Sequence, residues 1–391
     1  MNASHSPVQR GPAIWYAYLM NGFLTYFFNI QGNIVPFLRD ELHLSYRAVS
    51  FHSSALAVGV LVIGLIGDRA MRRFGRQRSY WLGSLGIAAG AILICAAPNA
   101  WMSIPGFALI GLFGGLIPVV VVAVTADVPP NHRAVVYAES SIMAYVFALM
   151  APLLTGLSLA LALDWRSPLI AGMAAGAIIL LIFRATPLPA RPAPDIAHPT
   201  QLPLAYWAYW ALLALGVAME FSVILWSPEF LERVVGMSRG AAATGAAAFF
   251  AAMLLGRIVG SRLLRTMPAR TLYLVALVLT FVGFLVYWGL SGPVAAISGL
   301  FVLGLGIAQC YPLSATLAVG AAGGDADKAS ARMMSAVGLA LIATPPLMGG
   351  LADAVGLRLA HLVLPVLVAA AFGTLALARS LERRALVLTP G

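Results

Sequence analysis

The chain has 391 residues, of which 61% are hydrophobic and only 10% are charged, whereas soluble globular chains carry about 25% charged residues. This composition excludes an ordinary soluble domain and indicates an all-α integral membrane protein. The formal net charge of +10 does not indicate nucleic-acid binding, because the arginines cluster in short segments between apolar runs. Cys95 and Cys310 both lie inside apolar runs, so they provide neither a disulfide framework nor a metal site.

The apolar runs predict twelve membrane-spanning helices, because about 20 helical residues cross ~30 Å of hydrocarbon. No removable signal peptide is predicted, since the first run lacks a short hydrophobic region followed by a cleavage site. The predicted spans cover residues 13–38, 47–68, 79–97, 101–125, 135–161 and 167–185, then 204–228, 239–261, 271–290, 293–320, 330–352 and 359–379.

A proline-rich segment, residues 186–203, is typical of an extended linker between two halves. It divides the chain into an N-terminal six-helix bundle, residues 1–185, and a C-terminal six-helix bundle, residues 204–391. Eighteen basic residues lie on the side of the termini and six on the other, which predicts cytoplasmic termini and a cytoplasmic linker. The arginine-rich composition indicates a bacterial protein, and hence a location in the inner membrane.

The second half repeats the first at an offset of 193 residues. One offset that holds across most of the chain indicates a duplicated half. The matching pairs are Gly67 with Gly260, Arg69 with Arg262, Tyr80 with Tyr273, Ser45 with Ser238, Gly111 with Gly304 and Pro152 with Pro345.

Residues 64–78, which we call the basic hinge, join the second and third predicted spans. Together with the twelve spans and the central linker, the pattern Gly64-x-x-x-Asp68-Arg69 resembles the signature of the major facilitator superfamily. Gly75 and Arg76 arrive four residues later than in that signature, which is about one helical turn. The resemblance implies a secondary transporter in which two six-helix halves rock around a central cavity, by alternating access.

The basic hinge predicts a conformational latch between the halves. We expect Asp68 to face the N-terminal end of the eleventh span, and the neighbouring arginines to pair with acids such as Glu139. Alternatively, the arginines only fix the topology. Ser261 replaces Asp68 in the second copy, so two such gates would differ in strength. The predicted latch comprises Gly64, Asp68, Arg69, Arg76 and Glu139.

Glu220 is the outstanding ionisable residue, because it lies midway along the seventh span with no basic residue in that segment. Charged groups deep in a membrane are costly and mark functional sites. Glu220 is therefore predicted to couple transport to protons, or to act as the counter-ion of a cationic substrate. The alternative is a structural acid that stays protonated and is hydrogen-bonded to a neighbouring helix.

Two further groups are predicted to bind substrate. The first span carries polar side chains that include an i, i+3, i+7 stripe, and in the family that the chain resembles this helix lines the cavity. In the tenth span, glycine and proline interruptions match those of the fourth span and indicate a site near the midplane. The alternatives are an interhelical hydrogen-bond seam and simple close packing. The candidates are Asn21, Tyr26, Asn29 and Asn33 in the first span, and Gln309 and Tyr311 in the tenth.

Other functions find no support in the sequence. It has no phosphate-binding Gly-x-x-x-x-Gly-Lys loop, metal-ligand spacing or nucleophile motif, so neither an enzyme nor a cofactor is predicted. Arg257 is predicted to extend from the inner end of the eighth span towards water, which disfavours strongly anionic substrates. The predicted partners are a small neutral or cationic organic solute, protons and membrane lipids, for a monomeric protein. The alternatives are a non-transporting receptor or scaffold on the same fold, and a lipid or drug exporter.

The predicted orientation is testable with a reporter that is active only in the cytoplasm. We expect such a reporter to be active when it is fused after Gly391, because the basic residues are concentrated on that side of the membrane. Fusion within the segment around Ala162 is the matched control and should be inactive. The reverse pattern of activity would invert the topology.

Overall fold

The computed structural model describes residues 10–188, 202–322 and 326–388. Within these ranges, the side chains of Asp68, Pro130, Asn131, Ala134, Ala326, Asp327, Lys328, Ser330, Ala331 and those beyond Arg384 lie outside the description. All the regular structure of the described residues is helical, as expected. The first half contains α1 (Pro12–Asn29), α2 (Gln31–Glu41), α3 (Tyr46–Phe74), α4 (Arg76–Cys95), α5 (Ala100–Gly114), α6 (Leu116–Ala126), α7 (Pro130–Ala160) and α8 (Ser167–Ile182). The second contains α9 (Leu204–Arg233), α10 (Arg239–Leu263), α11 (Ala269–Gly289), α12 (Pro293–Gly320), α13 (Ala326–Val355), α14 (Leu357–Ala360) and α15 (Val363–Leu388).

In the described part of the chain, ten helical segments are long and apolar enough to cross a membrane. The helix α8 is apolar but shorter, with 16 residues. The first predicted span is divided at Ile30 into α1 and α2. The count of twelve therefore stays a prediction, although each predicted span corresponds to one helix or to two consecutive ones.

The basic hinge is helical except at one residue. The helix α3 continues to Phe74, and Gly75 then adopts a φ of +78° before α4 begins at Arg76. Glycine suits this position because it reaches positive φ without a steric penalty. The late arrival of the Gly75-Arg76 pair is thus accommodated by a long α3 rather than by a long loop.

The internal repeat appears in equivalent helix caps. Ser45 precedes α3 and its hydroxyl accepts a hydrogen bond of 3.1 Å from the N–H of Ala48. At the same offset, Ser238 precedes α10 and accepts one of 3.4 Å from Ala241. Serine is a favoured N-cap because its oxygen satisfies an N–H of the first turn. Both halves therefore start their second span in the same way.

The repeat also appears in helix packing. Gly111 of α5 lies against the backbone of Leu56 in α3, where an added methyl group would overlap the carbonyl oxygen. At the same offset, Gly304 of α12 lies against the backbone of Phe249 in α10. Small residues allow such close helix crossings in membrane proteins. The duplication is thus visible in matching residue contacts.

The two halves meet mainly where α3 packs against α13, where α7 packs against α10, and where α2 packs against α9. The chain turns between α2 and α3, between α9 and α10 and between α13 and α14 at one end of the bundle, which we call the distal face. We call the opposite end, where α1 begins and α15 ends, the terminal face. Asp353 of α13 closes part of the distal face, because its carboxylate accepts hydrogen bonds of 2.8 and 2.9 Å from the first N–H groups of α3, at Tyr46 and Arg47.

Prolines leave backbone carbonyls free at two contacts between the halves. Pro228 lies inside α9 and has no N–H for the carbonyl of Ile224, four residues earlier. Gly32 of α2 lies directly against that carbonyl. In α13, Pro346 likewise frees the carbonyl of Ile342, which accepts a 3.0 Å hydrogen bond from the Ser54 hydroxyl of α3. The approach of the halves is therefore partly a backbone contact.

The contact at Gly32 is testable by adding one methyl group. In Gly32→Ala, the new methyl group would overlap the Ile224 carbonyl, and we expect a loss of about 1–3 kcal/mol of stability from overpacking. The measurement is the thermal unfolding midpoint of the purified protein. Gly64→Ala is the matched control, because Gly64 has open space around it and should tolerate alanine. Equal midpoints for the two variants would contradict the close contact.

Candidate functional site

Side chains from both halves meet near the middle of the bundle. Arg257 of α10 donates a hydrogen bond of 2.8 Å from Nη2 to the hydroxyl of Tyr145 in α7. That hydroxyl in turn donates one of 3.4 Å to Oε1 of Glu220 in α9. The guanidinium also lies over the Tyr145 ring, with 5.1 Å from Cζ to the ring centroid. We call Tyr145, Glu220 and Arg257, together with the neighbouring Tyr311, the central cluster.

The central cluster contains a carboxyl group, on Glu220, and a guanidinium, on Arg257, that do not form a direct ion pair. Among the described residues, no carboxylate lies within ion-pair distance of Arg257 and no cation lies within that distance of Glu220. Nε of Arg257 is buried and has no hydrogen-bond partner among the described residues. Buried charges with unused hydrogen-bonding capacity are costly. The cluster therefore retains donors and acceptors for a solute or a proton.

Gln309 positions Arg257 rather than joining the cluster. Its Nε2 donates a hydrogen bond of 2.5 Å to the carbonyl of Gly256, which is adjacent to Arg257 in α10. Its amide group fills the space beside Gly260, where a methyl group would overlap it. Gln309 is almost fully buried between α10 and α12. This packing fixes the depth and rotation of α10 at the cluster.

Tyr311 does join the central cluster, and its predicted role in substrate binding stays a prediction. It is half-buried and interacts electrostatically with Glu220 and Arg257. Pro312 follows it inside α12, so the backbone irregularity expected near the midplane lies beside the cluster. Glu220 and Tyr311 are thus brought together from α9 and α12.

The polar residues of the first span have separate hydrogen-bond partners within the first half. Tyr26 is buried in the first half and donates a 2.7 Å hydrogen bond to the carbonyl of Pro168. Asn29 bonds locally to the Thr25 carbonyl at 2.8 Å, and Asn33 lies beyond the break in the helix, on α2. Ile30 between the two helices keeps helical backbone angles, with φ −65° and ψ −24°, so a common face of Tyr26, Asn29 and Asn33 stays a prediction.

Asn21 has a different setting from the rest of the predicted stripe. It is half-buried, and its Nδ2 donates a hydrogen bond of 3.0 Å to the Ser140 hydroxyl of α7. Thr25 and Phe28, one and two turns further along α1, are also half-buried. The partly accessible face of α1 therefore runs through Asn21, Thr25 and Phe28. Binding of a substrate by the predicted residues remains a prediction.

The expected latch partners differ from the contacts observed. Glu139 binds Arg10, with Nε to Oε2 at 2.9 Å, and accepts a 2.7 Å hydrogen bond from Tyr18. It does not pair with an arginine of the basic hinge among the described side chains. Arg76 instead pairs with Asp127, within the first half. The pairing expected for Glu139 is therefore wrong, because the segment before α1 provides a nearer arginine.

The other three residues of the predicted latch, Gly64, Asp68 and Arg69, have no described contact with the second half. The side chain of Asp68 lies outside the described residues, as does that of Ser330 in its expected partner segment, so the latch itself stays a prediction. Arg69 and Gly64 are exposed at the terminal end of α3. An added methyl group at Gly64 would meet no atom. These residues therefore face open space in this conformation.

Tyr145 and Arg257 are the two members of the cluster that sequence reasoning missed. Arg257 was expected to extend towards water, but its guanidinium points to Tyr145 and Glu220, so that expectation is wrong. The internal repeat contained a signal, because Arg257 lies at the repeat offset from Gly64. The second half therefore has a charged residue where the first half has the first glycine of the hinge pattern. No comparable sequence signal distinguishes Tyr145 from the other tyrosines in apolar spans.

An ion-pair network crosses between the halves at the distal face. Arg39 and Asp40 of α2 meet Glu229 and Arg233 of α9, with 2.8 Å from Arg39 Nη1 to Glu229 Oε1 and 2.9 Å from Arg233 Nη2 to Asp40 Oδ1. Arg239 at the start of α10 also pairs with Asp40. The Glu229 side chain is only 1% exposed, and removing one partner of a buried pair costs about 3–5 kcal/mol. We call these five residues the distal network.

Asp40 is the shared carboxylate of the distal network. Burial would raise its pKa, but hydrogen bonds from Arg39 and Arg239 outweigh this effect and hold the pKa of Asp40 below its ordinary value of 3.8. A carboxylate with a lowered pKa contributes its full stabilisation above its ordinary pKa and loses it as the pH falls through the lowered one. The network is therefore intact near neutral pH.

Comparison with known proteins identifies the family. A family model of the Major Facilitator Superfamily matches residues 14–326. The match covers well over half of the chain, so the protein belongs to this superfamily and is a multi-pass membrane protein of a transporter family. The family predicted from the basic hinge and the duplicated halves is thus confirmed.

Curated relatives match only in part. The human solute carrier family 2, facilitated glucose transporter member 6 is 28% identical over 151 residues, which are 38% of this chain and 29% of that protein. An uncharacterised MFS-type transporter of Yersinia pestis is 31% identical over 99 residues, or 25% of this chain and 26% of that protein. The matches thus span less than a third of the length of either relative.

Solved structures match over nearly the whole chain. A bacterial homologue of the human lysosomal transporter Spinster, in an inward-facing and occupied conformation, has a TM-score of 0.77 and 16% identity, and covers 96% of this chain and 98% of its own. The nucleoside transporter NupG has a TM-score of 0.75 and 12% identity, with 95% and 100% covered. FucP, in the outward conformation, has a TM-score of 0.61 and 17% identity, with 93% and 98% covered. At these identities the likeness establishes the fold.

The distal network generates a prediction about access between the halves. In Asp40→Asn, the charge shared by three arginines is lost, and we expect the closed distal face to be weakened by about 1 kcal/mol, since the pairs are partly exposed. The measurement is the rate at which a water-soluble maleimide labels Ala57→Cys, a buried interface position, with Cys95 and Cys310 replaced by alanine. The rate should rise about fivefold.

Asp164→Asn is the control for this experiment, because Asp164 pairs with Arg166 within the first half. It should leave the labelling rate unchanged. Unchanged labelling in Asp40→Asn would show that the network does not hold the halves together.

Proposed function

We propose that this protein is a secondary active transporter that moves a small organic solute by alternating access, with Glu220 as the site of proton coupling. The observation that carries the proposal is the connection of Glu220 to the other half through Tyr145, without a direct cation partner among the described residues. A carboxyl group in this position binds or releases a proton with a direct effect on the contact between the halves. Membership of a transporter family supports the same reading.

The distribution of contacts supports rocking of the halves. In the described residues, the hydrogen bonds and ion pairs between the halves lie at the distal face, within a few turns of it, or in the central cluster. At the terminal face, the described pairs such as Arg76 with Asp127 and Arg270 with Glu382 stay within one half. This pattern is expected of a conformation that is closed distally and open towards the terminal face.

The coupling step follows from the direction of the hydrogen bonds. The hydroxyl of Tyr145 accepts from Arg257 and donates to Glu220, so it links two charges of the second half to a helix of the first. A hydrogen bond to a charged acceptor is roughly twice as strong as one to a neutral acceptor. Protonation of Glu220 therefore weakens the link at α7 and favours movement of the halves.

The proposal also includes the orientation of the protein in the membrane and the charge of its substrate. We place the termini in the cytoplasm and the protein in a bacterial inner membrane as a monomer, on the strength of the basic residues at the terminal face. The distally closed conformation is then inward-facing. The expected preference for neutral or cationic solutes is not retained, because it depended on the absence of a cation at the centre, where Arg257 lies.

Proton coupling is testable in vesicles that contain a pH-sensitive dye. A solute that the protein moves, found by screening sugars, nucleosides, amino acids and carboxylates, should carry protons with it. In Glu220→Gln, we expect solute-driven proton movement to fall at least tenfold, while exchange of labelled for unlabelled solute continues, because the variant mimics the protonated acid. Glu382→Gln is the matched control, since Glu382 pairs with Arg270 away from the cluster.

The outcomes separate clearly. Full proton movement in Glu220→Gln would remove Glu220 from the coupling step. A protein that moves no member of the screen, although it is folded and correctly inserted, would contradict transport itself.

A further inference from the structure

We propose that the transported solute is an organic anion with a single carboxylate, which binds the unpaired side of Arg257 and crosses the membrane together with the proton on Glu220. This inference rests on the proposed function and names the substrate class of the same site. It reverses the expectation from sequence, where Arg257 was assigned to the membrane surface.

The first argument is the unused capacity of Arg257. A guanidinium has five N–H donors in a rigid fork. The structure describes one hydrogen bond, from Nη2 to Tyr145, while Nε is buried and meets no acceptor in the part of the chain that the structure describes. Nε and Nη2 lie on the same edge, and Nη2 has a second N–H besides the one that it donates to Tyr145, so this edge can bind a carboxylate through two parallel hydrogen bonds. An anionic group is thus the ligand that satisfies this side chain best.

The second argument is that Glu220 does not serve as that anion. The nearest carboxylate in the cluster reaches Arg257 only through the hydroxyl of Tyr145. Elsewhere in the chain, buried arginines have direct carboxylate partners, as Arg39 has Glu229 and Arg76 has Asp127. Arg257 departs from this pattern, since no described carboxylate lies within ion-pair distance of it. The position opposite its fork is therefore left to a ligand.

The third argument is the charge balance, which selects a monoanion. With Glu220 ionised, the central cluster is neutral before the solute binds. A single carboxylate at Arg257 would leave one excess negative charge, and one proton on Glu220 would restore neutrality. A phosphate dianion would need a second cation, and Arg257 is the one basic side chain described in the cluster. Moving the neutral combination avoids the cost of carrying net charge through a low-dielectric bundle.

The fourth argument is that the two binding events must assist each other. The titratable or charged groups described around Glu220 are Arg257 of α10, Tyr145 of α7, and Cys310 and Tyr311 of α12. Of these, only Arg257 is a cation. A carboxylate that neutralises Arg257 removes the charge that favours ionised Glu220, so the solute promotes proton uptake. By thermodynamic reciprocity, the proton then promotes binding of the solute by the same factor.

The test uses matched acids and amides on the purified protein. The probes are benzoate with benzamide, nicotinate with nicotinamide, and lactate with lactamide, with choline as a cation control, and the readout is the thermal unfolding midpoint. We expect at least one carboxylate to raise the midpoint and its amide to leave it unchanged, with tighter binding at pH 5.5 than at pH 7.5. The affinity of that carboxylate should fall at least tenfold in Arg257→Gln and recover in part in Arg257→Lys.

Controls and a second readout keep the inference separate from the proposed function. Arg270→Gln should bind the carboxylate normally, because Arg270 pairs with Glu382 outside the cluster. Binding should also take up about one proton from an indicator dye, and Glu220→Gln should abolish this uptake. The conservative Arg257→Lys variant and the comparison of acid with amide on the unmodified protein do not depend on the stability of Arg257→Gln.

The possible failures are distinguishable. If an amide or choline binds as well as the carboxylates, if no carboxylate binds, or if binding survives in Arg257→Gln, the anion inference is overturned. If a neutral solute still drives protons through Glu220 in vesicles, the proposed function stands without it. If a carboxylate binds through Arg257 without proton uptake, the anion site stands and the coupling role of Glu220 is lost.

Discussion

The hydroxyl of Tyr145 carries the interaction on which the rest of the arrangement depends. It lies between a guanidinium and a carboxylate that belong to the other half of the protein, and it accepts from one and donates to the other. In a direct ion pair, the two charges would satisfy each other within the second half and would need no contact with the first half. With the hydroxyl between them, the guanidinium and the carboxylate each keep hydrogen-bonding groups that are not used. A change in the charge of either one therefore alters a hydrogen bond between the halves.

The two ends of the bundle are built from different interactions. At the distal face, charges from α2 meet charges from α9 and α10, and Asp353 caps the N-terminus of α3 across the boundary. At the terminal face, the described charged pairs are internal to one half. The matched positions of the two halves have also diverged, since Gly64 in one half corresponds to Arg257 in the other.

The sequence predicted the parts of the molecule that depend on composition and periodicity. The all-helical fold and the family are confirmed, whereas the structure, not the sequence, shows that Glu220 and Tyr311 lie together. The common face of Tyr26, Asn29 and Asn33 stays a prediction, and nothing in the sequence marks the division between α1 and α2 at Ile30. The position of Arg257 depends on the packing of Gln309 against Gly260, which is a tertiary contact that helical spacing does not contain.

The prolines of α9 and α13 provide contacts between the halves that use backbone carbonyl groups. Where Gly32 meets the carbonyl of Ile224, and where Ser54 binds that of Ile342, the halves touch through carbonyl groups that proline leaves without a helical N–H partner. At these two contacts, unlike in the distal network, no long charged side chain has to be ordered. Such contacts are suited to being made and broken many times, because neither state leaves a stranded charge.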